Sequence, residues 1–183
     1  MPLKTFVKVG RITNLSDARY CAGMGADMLG FSAVVGQEHY LSHHQFQAIR
    51  GWVSGPIIVA EVSGLQNTSQ LTSIIENYQP DYLELGVAEL PFITNYQIPF
   101  ILRIEKSFNE TNIPNKPTFV ITPNFIPQFT FPQLIEVTSL AEAEQALQHL
   151  SIKGIALRGS AEISPGLNNY DDLAEVFEFL DID

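Results

Sequence analysis

Segments typical of strands and segments typical of helices alternate along most of this 183-residue chain. Most short runs rich in β-branched and aromatic residues are followed by a capping residue or by a stretch with helical periodicity. The predicted caps are Asn14 or Ser16, Ser42 and Ser139, and the helix after Ser139 is predicted over residues 140–150. A strand regularly followed by a helix pairs in parallel with the next strand, because the helix returns the chain to the same edge of the sheet. Eight such strands are predicted, at residues 6–12, 27–32, 56–62, 81–87, 98–104, 118–122, 134–137 and 154–157. The pattern indicates an α/β protein with a closed (β/α)8 barrel, and an open doubly wound sheet is the alternative architecture.

At two places the expected helix between successive strands is not predicted. Residues 106–116 are rich in Asn and Pro, and residues 123–132 contain three prolines and three phenylalanines. Proline inside a helix removes a hydrogen bond and clashes with the preceding turn, so neither segment is predicted to be helical. The chain of 183 residues is also shorter than the roughly 200 residues at the lower end of this fold. We predict a single shortened barrel domain over residues 1–183, with the helices after strands five and six reduced or missing.

Charge and cysteine content narrow the classes of function. The formal net charge is −10, and so acidic a surface repels phosphate backbones and anionic lipid, so we predict neither nucleic-acid nor membrane binding. Cys21 is the single cysteine, which excludes an internal disulfide, and its mid-helix position predicts a buried, unreactive thiol. The sequence has no run of about 20 apolar residues, no signal peptide, no phosphate-binding glycine loop and no histidine–carboxylate metal spacing. A cytoplasmic protein without metal or cofactor is therefore predicted.

Four blocks of sequence resemble phosphoribosylanthranilate isomerase, in the same order and with similar spacing. They lie at residues 8–18, 25–31, 40–42 and 162–166. In the second block Gly-Ala-Asp-Met-Leu-Gly-Phe is close to the family's Gly-Ala-Asp-Ala-Leu-Gly-Phe, and the fourth block ends in the family's Ser-Pro-Gly. The resemblance implies a (β/α)8 barrel and a cofactor-free Amadori rearrangement in tryptophan biosynthesis. In that reaction a base takes a proton from a sugar carbon while an acid protonates the ring oxygen.

The residues that carry this reaction in the family are mostly replaced. By the resemblance, Gly10 stands at the position of the cysteine base, and Thr122 at that of the aspartate acid. His39 stands where an arginine pairs with the anthranilate carboxylate, and Arg158-Gly159-Ser160 replaces the phosphate-binding Ser-Ser-Gly. Loss of an acid or a base typically slows a reaction by about 100- to 10,000-fold for each group. We therefore predict that the chain is not competent in the family's reaction.

Charged residues occur on the predicted strands, although a parallel barrel covers both faces of its strands. They are Lys8, Glu61, Glu84, Arg103, Glu105, Glu136 and Arg158. A charge at such a position must be paired or must lie at a solvent-filled mouth, since burying it alone costs several kcal/mol. Two interpretations follow: a rebuilt polar pocket, or a salt-bridge network that fills an inactive mouth. The network is favoured, because paired charges keep the barrel folded after a loss of function.

In the pocket interpretation, Glu84 and Lys8 are the candidates for acid–base catalysis. Lys8 has the same strand parity as Gly10, where the family's cysteine points inward, and Glu84 has the same parity as Gly86, so the resemblance implies that both face the barrel axis. The predicted ligand-binding residues are Arg11, Arg103, Arg158, Gly159, Ser160 and His39. Arginine side chains and backbone amides near the carboxyl ends of barrel strands favour a small anionic ligand, phosphorylated or not.

Two functions remain open from the sequence. One is a divergent barrel that works as a cofactor-free isomerase or lyase on a small anionic metabolite. The other is a non-catalytic barrel that binds a metabolite or a protein, and a homodimer is compatible with both. Phe125, Phe129 and Phe131 are predicted to cover barrel surface left bare by the missing helices, with an apolar lid or a dimer contact as alternatives.

Overall fold

Eight parallel strands close into a barrel in the computed structural model, which describes residues 2–105, 113, 116–164 and 167–182. Each strand pairs with the next along the chain, and the last pairs with the first. The strands are β1 (Phe6–Gly10), β2 (Met28–Ser32), β3 (Ile57–Glu61), β4 (Tyr82–Gly86), β5 (Phe100–Arg103), β6 (Phe119–Thr122), β7 (Gln133–Glu136) and β8 (Gly154–Arg158). The closed barrel is confirmed, and the open doubly wound alternative is wrong because β1 and β8 pair over five residues.

Six helices cover the outside of the barrel in the described part of the chain. They are α1 (Leu15–Gly23), α2 (His43–Arg50), α3 (Thr68–Tyr78), α4 (Leu90–Ile93), α5 (Leu140–Ala146) and α6 (Asp171–Leu180). No helix lies between residues 123 and 132, which confirms the missing helix after strand six. The described residues between β5 and β6 are not helical either, while 106–112, 114 and 115 lie outside the described residues.

Capping residues begin the helices where the sequence predicts. The side chain of Asn14 accepts a hydrogen bond from the Asp17 amide at 2.9 Å, so Asn14 rather than Ser16 caps α1. Ser42 caps α2 in a reciprocal capping box, and Ser139 caps α5. The prediction that α5 extends to residue 150 is wrong, because the helix ends at Ala146 and its last turns are irregular.

Strand alternation divides the side chains into an inner and an outer layer. The lower barrel interior is an apolar plug that includes Met28, Val59 and Ile101, with the rings of Phe6 and Phe119 stacked at 5.3 Å. The larger outer cluster packs the strands against the helices. Because the plug fills the amino-terminal half of the barrel, polar side chains are confined to its carboxyl-terminal mouth.

The three phenylalanines of the segment 123–132 belong to the outer layer. Phe125, Phe129 and Phe131 are partly buried and pack against the outer core cluster. The prediction that they cover barrel surface in place of a helix is confirmed. Burying three aromatic side chains in this way shields strands that would otherwise be exposed to water.

A small antiparallel hairpin between β8 and α6 was not predicted from the sequence. It consists of β9 (Ala161–Ser164) and β10 (Leu167–Asn169). Among the helices that the structure describes, none combines the length and the apolar character needed to cross a membrane.

The close pairing of β1 with β8, which we call the β1–β8 seam, can be tested by a substitution. A Cβ added to Gly154 would overlap the Phe6 carbonyl oxygen, which is backbone and cannot move aside without shifting β1. Gly154→Ala should therefore lower the free energy of unfolding by about 3 kcal/mol or more, the upper end of ordinary overpacking. Urea unfolding followed by circular dichroism measures it. Gly23→Ala is the control, because its added methyl meets no atom within 4 Å. Equal losses for the two variants would contradict the tight seam.

Candidate functional site at the barrel mouth

Six charged side chains from six strands meet in the upper half of the barrel. They are Lys8 of β1, Glu61 of β3, Glu84 of β4, Arg103 of β5, Glu136 of β7 and Arg158 of β8. We call this set the ion-pair chain. Its members come from distant parts of the sequence, and they meet because barrel strands present alternate residues to one interior.

Lys8 lies in the inner part of the ion-pair chain, between Glu61 and Glu84, and is fully buried. Its Nζ is 2.7 Å from Oε1 of Glu61 and 2.5 Å from Oε2 of Glu84. The other carboxylate oxygen of Glu84 accepts a hydrogen bond from Nε of Arg103 at 2.8 Å. A buried ammonium thus lies between two carboxylates, which offsets the cost of removing its charge from water.

The ion-pair chain then runs outward to solvent. Nη1 of Arg103 is 2.9 Å from Oε1 of Glu136, and Nη2 of Arg158 is 3.1 Å from the same oxygen. The Arg158 side chain is 46 % exposed, so this end of the chain reaches water. Three positive and three negative charges alternate along the six residues, and their formal sum is zero.

The pairing fixes the ionisation of these groups. Burial alone would raise the pKa of Glu84, but the charges of Lys8 and Arg103 lower it to about 2. Burial alone would lower the pKa of Lys8, but Glu61 and Glu84 raise it above its ordinary value. Acid–base catalysis is most efficient when the pKa lies near the working pH. The assignment of Glu84 and Lys8 as acid and base stays a prediction, and their pKa values do not support it.

Two glycines provide the space for the buried pair. A Cβ on Gly10 would collide with Oε1 of Glu61 and would lie 2.7 Å from Nζ of Lys8. A Cβ on Gly30, on the neighbouring strand, would meet the same two atoms. Gly10 therefore has a structural role, because the Lys8–Glu61 pair occupies the volume that any side chain there would need. Sequence reasoning missed Gly30, although it points inward with the same alternation as Met28.

The backbone of Arg11 also holds Glu61. Its amide donates to Oε1 and Oε2 of Glu61 at 3.3 and 3.2 Å. This geometry accompanies a φ of 57°, which is uncommon for a residue with a side chain. The turn after β1 is thus tied to the carboxylate that neutralises Lys8.

A cavity of about 190 Å³ lies above the inner part of the ion-pair chain. Its lining consists of Arg11, Ser32, Gln37, Glu38, His39, Glu61, Ser63, Glu84, Arg103 and Glu105. We call it the mouth cavity. It brings together four of the predicted site residues, namely Arg11, His39, Glu84 and Arg103. His39 Nε2 is 3.5 Å from a carboxylate oxygen of Glu38.

The predicted phosphate-binding residues lie elsewhere, around a separate cavity of about 140 Å³ that Asp172 also lines. The Gly159 amide donates to the Gly10 carbonyl oxygen at 2.7 Å, and the Ser160 hydroxyl donates to Oδ1 of Asp17 at 2.5 Å. Both donors are therefore used within the protein. Asp17 is a fully buried carboxylate that also accepts from the Tyr170 hydroxyl at 2.8 Å. Sequence reasoning gave it no role, although it lies inside a block that resembles the isomerase.

The side chain of Thr122, which the resemblance aligns with the family's acid, does not point into the barrel. It pairs in register with Ile135 of the outer cluster, whereas Ile121 pairs with Leu134 of the inner plug. The Thr122 side chain therefore faces the outer layer, and the assignment of Thr122 to an inward-facing acid position is wrong. Neither Ile121 nor Pro123, which follow the inward alternation, can donate a proton.

Cys21 is buried on α1, as predicted. Burial, with a smaller contribution from Asp17, raises the pKa of its thiol to about 12. The reactive form of cysteine is the thiolate, so Cys21 is not a nucleophile at neutral pH.

Comparisons with known proteins identify the fold. No protein-family model and no curated protein sequence matches the chain. The structure is similar to phosphoribosylanthranilate isomerase from Thermus thermophilus, with a TM-score of 0.76 and 17 % identity over 94 % of this chain and 96 % of that one. It is also similar to the N-(5'-phosphoribosyl)anthranilate isomerase of Pyrococcus furiosus, with a TM-score of 0.75 and 12 % identity over 95 % and 97 % of the chains.

A third similar structure contains a ligand. It is phosphoribosylanthranilate isomerase in complex with reduced 1-(o-carboxyphenylamino)-1-deoxyribulose 5-phosphate, with a TM-score of 0.73 and 17 % identity over 95 % of this chain and 97 % of that one. The class of fold is therefore a (β/α)8 barrel like that of phosphoribosylanthranilate isomerases. This confirms the resemblance in fold drawn from the sequence, and identities this low show the fold alone.

The glycines beside the buried pair give a second prediction. Gly10→Ala should lower the free energy of unfolding by about 1–3 kcal/mol, because the methyl group displaces Glu61 or Lys8. In a Glu61→Ala background the same substitution should cost at least about 1 kcal/mol less, since the nearer of the two obstacles is gone and Nζ of Lys8 is released from its ion pair with Glu61. A double-mutant cycle by urea unfolding measures the coupling. Gly51→Ala is the control, because its methyl meets only a carbonyl oxygen at 3.7 Å. Additive losses would show that Gly10 and Glu61 do not compete for space.

Glu84 generates a third prediction, on pH. Its pKa is about 2 in the folded chain against an ordinary value of 4.5, so its stabilising contribution is present above the ordinary value and is lost as the pH falls. The free energy of unfolding should decrease by on the order of 3 kcal/mol from this group between about pH 5 and pH 2. Urea unfolding at a series of pH values tests it. Glu84→Gln should flatten this part of the pH profile of the free energy of unfolding. The control Glu144→Gln, at an exposed residue, should leave the profile unchanged. Parallel profiles for Glu84→Gln and the unmodified chain would contradict the pairing of Glu84 with Lys8 and Arg103.

Proposed function

We propose that this chain keeps the phosphoribosylanthranilate isomerase fold without its reaction, and that its barrel mouth binds a small metabolite without converting it. The observation that carries the proposal is the Lys8–Glu61 pair beside Gly10. A side chain able to act as a base at position 10 needs the volume that these two charged groups occupy. A single substitution at position 10 therefore does not rebuild a base.

The lack of an acid on strand six and the internal use of the predicted phosphate donors support the same proposal. Strand six presents Ile121 toward the interior, and the Gly159 amide and the Ser160 hydroxyl are used in contacts within the protein. The isomerase that resembles this chain binds a phosphorylated compound, but the mouth cavity here is separate from the residues aligned with phosphate binding. We infer that the chain lacks both the base and the acid that act on the family's substrate.

Binding without catalysis is favoured over a different reaction. The mouth cavity is polar and open above the ion-pair chain, which suits a ligand, while Glu84 and Lys8 have pKa values displaced away from neutrality in opposite directions. A cofactor-free isomerase or lyase that uses these two residues is the second candidate. It is favoured only by their position at the carboxyl-terminal mouth, where barrel enzymes carry out their reactions. The homodimer, the protein partner, the single domain and the cytoplasmic location stay predictions.

The fourth prediction concerns turnover. The purified chain should convert N-(5'-phosphoribosyl)anthranilate at least about 10,000-fold more slowly than an isomerase of this fold assayed beside it, because two groups worth about 100-fold or more each are missing. Substrate and product are separated by chromatography over time. Gly10→Cys should not raise the rate, because its side chain must displace the Lys8–Glu61 pair. A rate within about 100-fold of the reference enzyme would refute the proposal.

A further inference from the structure

The charges around the mouth cavity are of two kinds, paired and unpaired. The ion-pair chain is electrically neutral as a whole, so it attracts neither an anion nor a cation strongly. The remaining ionisable residues of the lining are Arg11, Glu38, His39 and Glu105. The charge of a ligand is therefore selected by this second group, which contains one guanidinium and two carboxylates.

Arg11 is the cation of this unpaired group. It is half-buried, and its guanidinium makes no ion pair or hydrogen bond with any residue that the structure describes. Its backbone is held in place by the two bonds from its amide to Glu61. A half-buried guanidinium whose N–H groups have no partner among the described residues is suited to a carboxylate, which it binds through two parallel hydrogen bonds.

The two carboxylates lie on other parts of the rim. Glu38 follows β2, and Glu105 follows β5, which is diametrically across the eight-stranded barrel from β1 and Arg11. Glu105 makes no ion pair within the described residues, and Glu38 has only the 3.5 Å contact with His39. An ammonium group placed toward Glu105 would be separated from a carboxylate at Arg11 by the width of the cavity.

The size of the cavity limits the ligand. The volume of the mouth cavity is about 190 Å³. It is below the roughly 300–1,000 Å³ of pockets for drug-sized ligands. Hydroxyl and amide groups of Ser32, Ser63 and Gln37 complete the lining, so the ligand is small and polar.

Resting on the proposed function, we propose that the mouth cavity binds a small zwitterion, a molecule of amino-acid size with one carboxylate and one ammonium group. The carboxylate pairs with Arg11 and the ammonium group with Glu105 or Glu38. A phosphorylated aromatic acid is disfavoured, because its phosphate alone carries about −1.5 to −2 charges and the unpaired lining sums to −1. The protein's net charge of −10 adds to that repulsion.

The test is calorimetric titration of the full chain with probes of matched size. γ-Aminobutyrate, L-serine and L-glutamine are the zwitterions, ribose 5-phosphate and anthranilate the anions, and putrescine the dication. At low ionic strength and millimolar concentration, at least one zwitterion should bind and the anions and the dication should bind at least about tenfold more weakly. Tighter binding of an anion or of putrescine, or no heat from any zwitterion, would overturn the inference.

Two variants locate the binding. Arg11→Gln should weaken the best zwitterion by about tenfold or more, and Glu105→Gln by a smaller factor because it is more exposed. The exposed residues Arg19 and Glu144 supply the controls, Arg19→Gln and Glu144→Gln, which change the net charge equally but lie outside the mouth cavity. Equal weakening by Arg11→Gln and Arg19→Gln would overturn the inference. Circular dichroism of each variant excludes a loss of folding.

The two proposals fail in different experiments. Turnover of N-(5'-phosphoribosyl)anthranilate would refute the absence of catalysis and is measured without any zwitterion. Absence of zwitterion binding in a chain that also shows no turnover would overturn only the assignment of the ligand.

Discussion

The buried ammonium group of Lys8 is the constraint on which the mouth of this barrel depends. Its charge lies at the centre of the barrel, where an unpaired ion would cost several kcal/mol. Two carboxylates neutralise it, and one of them, Glu84, is buried in turn and requires Arg103. Arg103 pairs with Glu136, and the series ends only where Arg158 reaches water. One buried charge therefore determines the residue type at five other strand positions.

The same constraint is the basis for proposing that the chain has the isomerase fold without the isomerase reaction. The Lys8–Glu61 pair fits only because Gly10 and Gly30 lack side chains. A base at position 10 and the buried pair exclude each other sterically, so the two arrangements are alternatives within one barrel. The polar mouth cavity lies above the pair, and it is where we propose that a ligand binds.

Much of the fold was predictable because it is encoded locally. Strand–helix alternation and the caps Asn14, Ser42 and Ser139 depend on neighbouring residues, and the structure confirms them. The inward direction of Lys8 and Glu84 followed from strand alternation together with the resemblance, which implies that position 10 faces inward. Thr122 was misplaced because the sequence does not fix which face of strand six a residue occupies until the register with strand seven is known. The hairpin of β9 and β10 was missed because its strands are only four and three residues long.

The sequence by itself determined the number and order of the strands, the caps of the helices, the net charge and the absence of a base at Gly10. Only the tertiary structure decided which charges meet, that Gly30 shares in making room for them, and that Arg11 remains unpaired among the described residues. The physical reason is distance along the chain. Caps and alternation involve residues a few positions apart, whereas Lys8, Glu61 and Glu84 become neighbours only when the barrel closes.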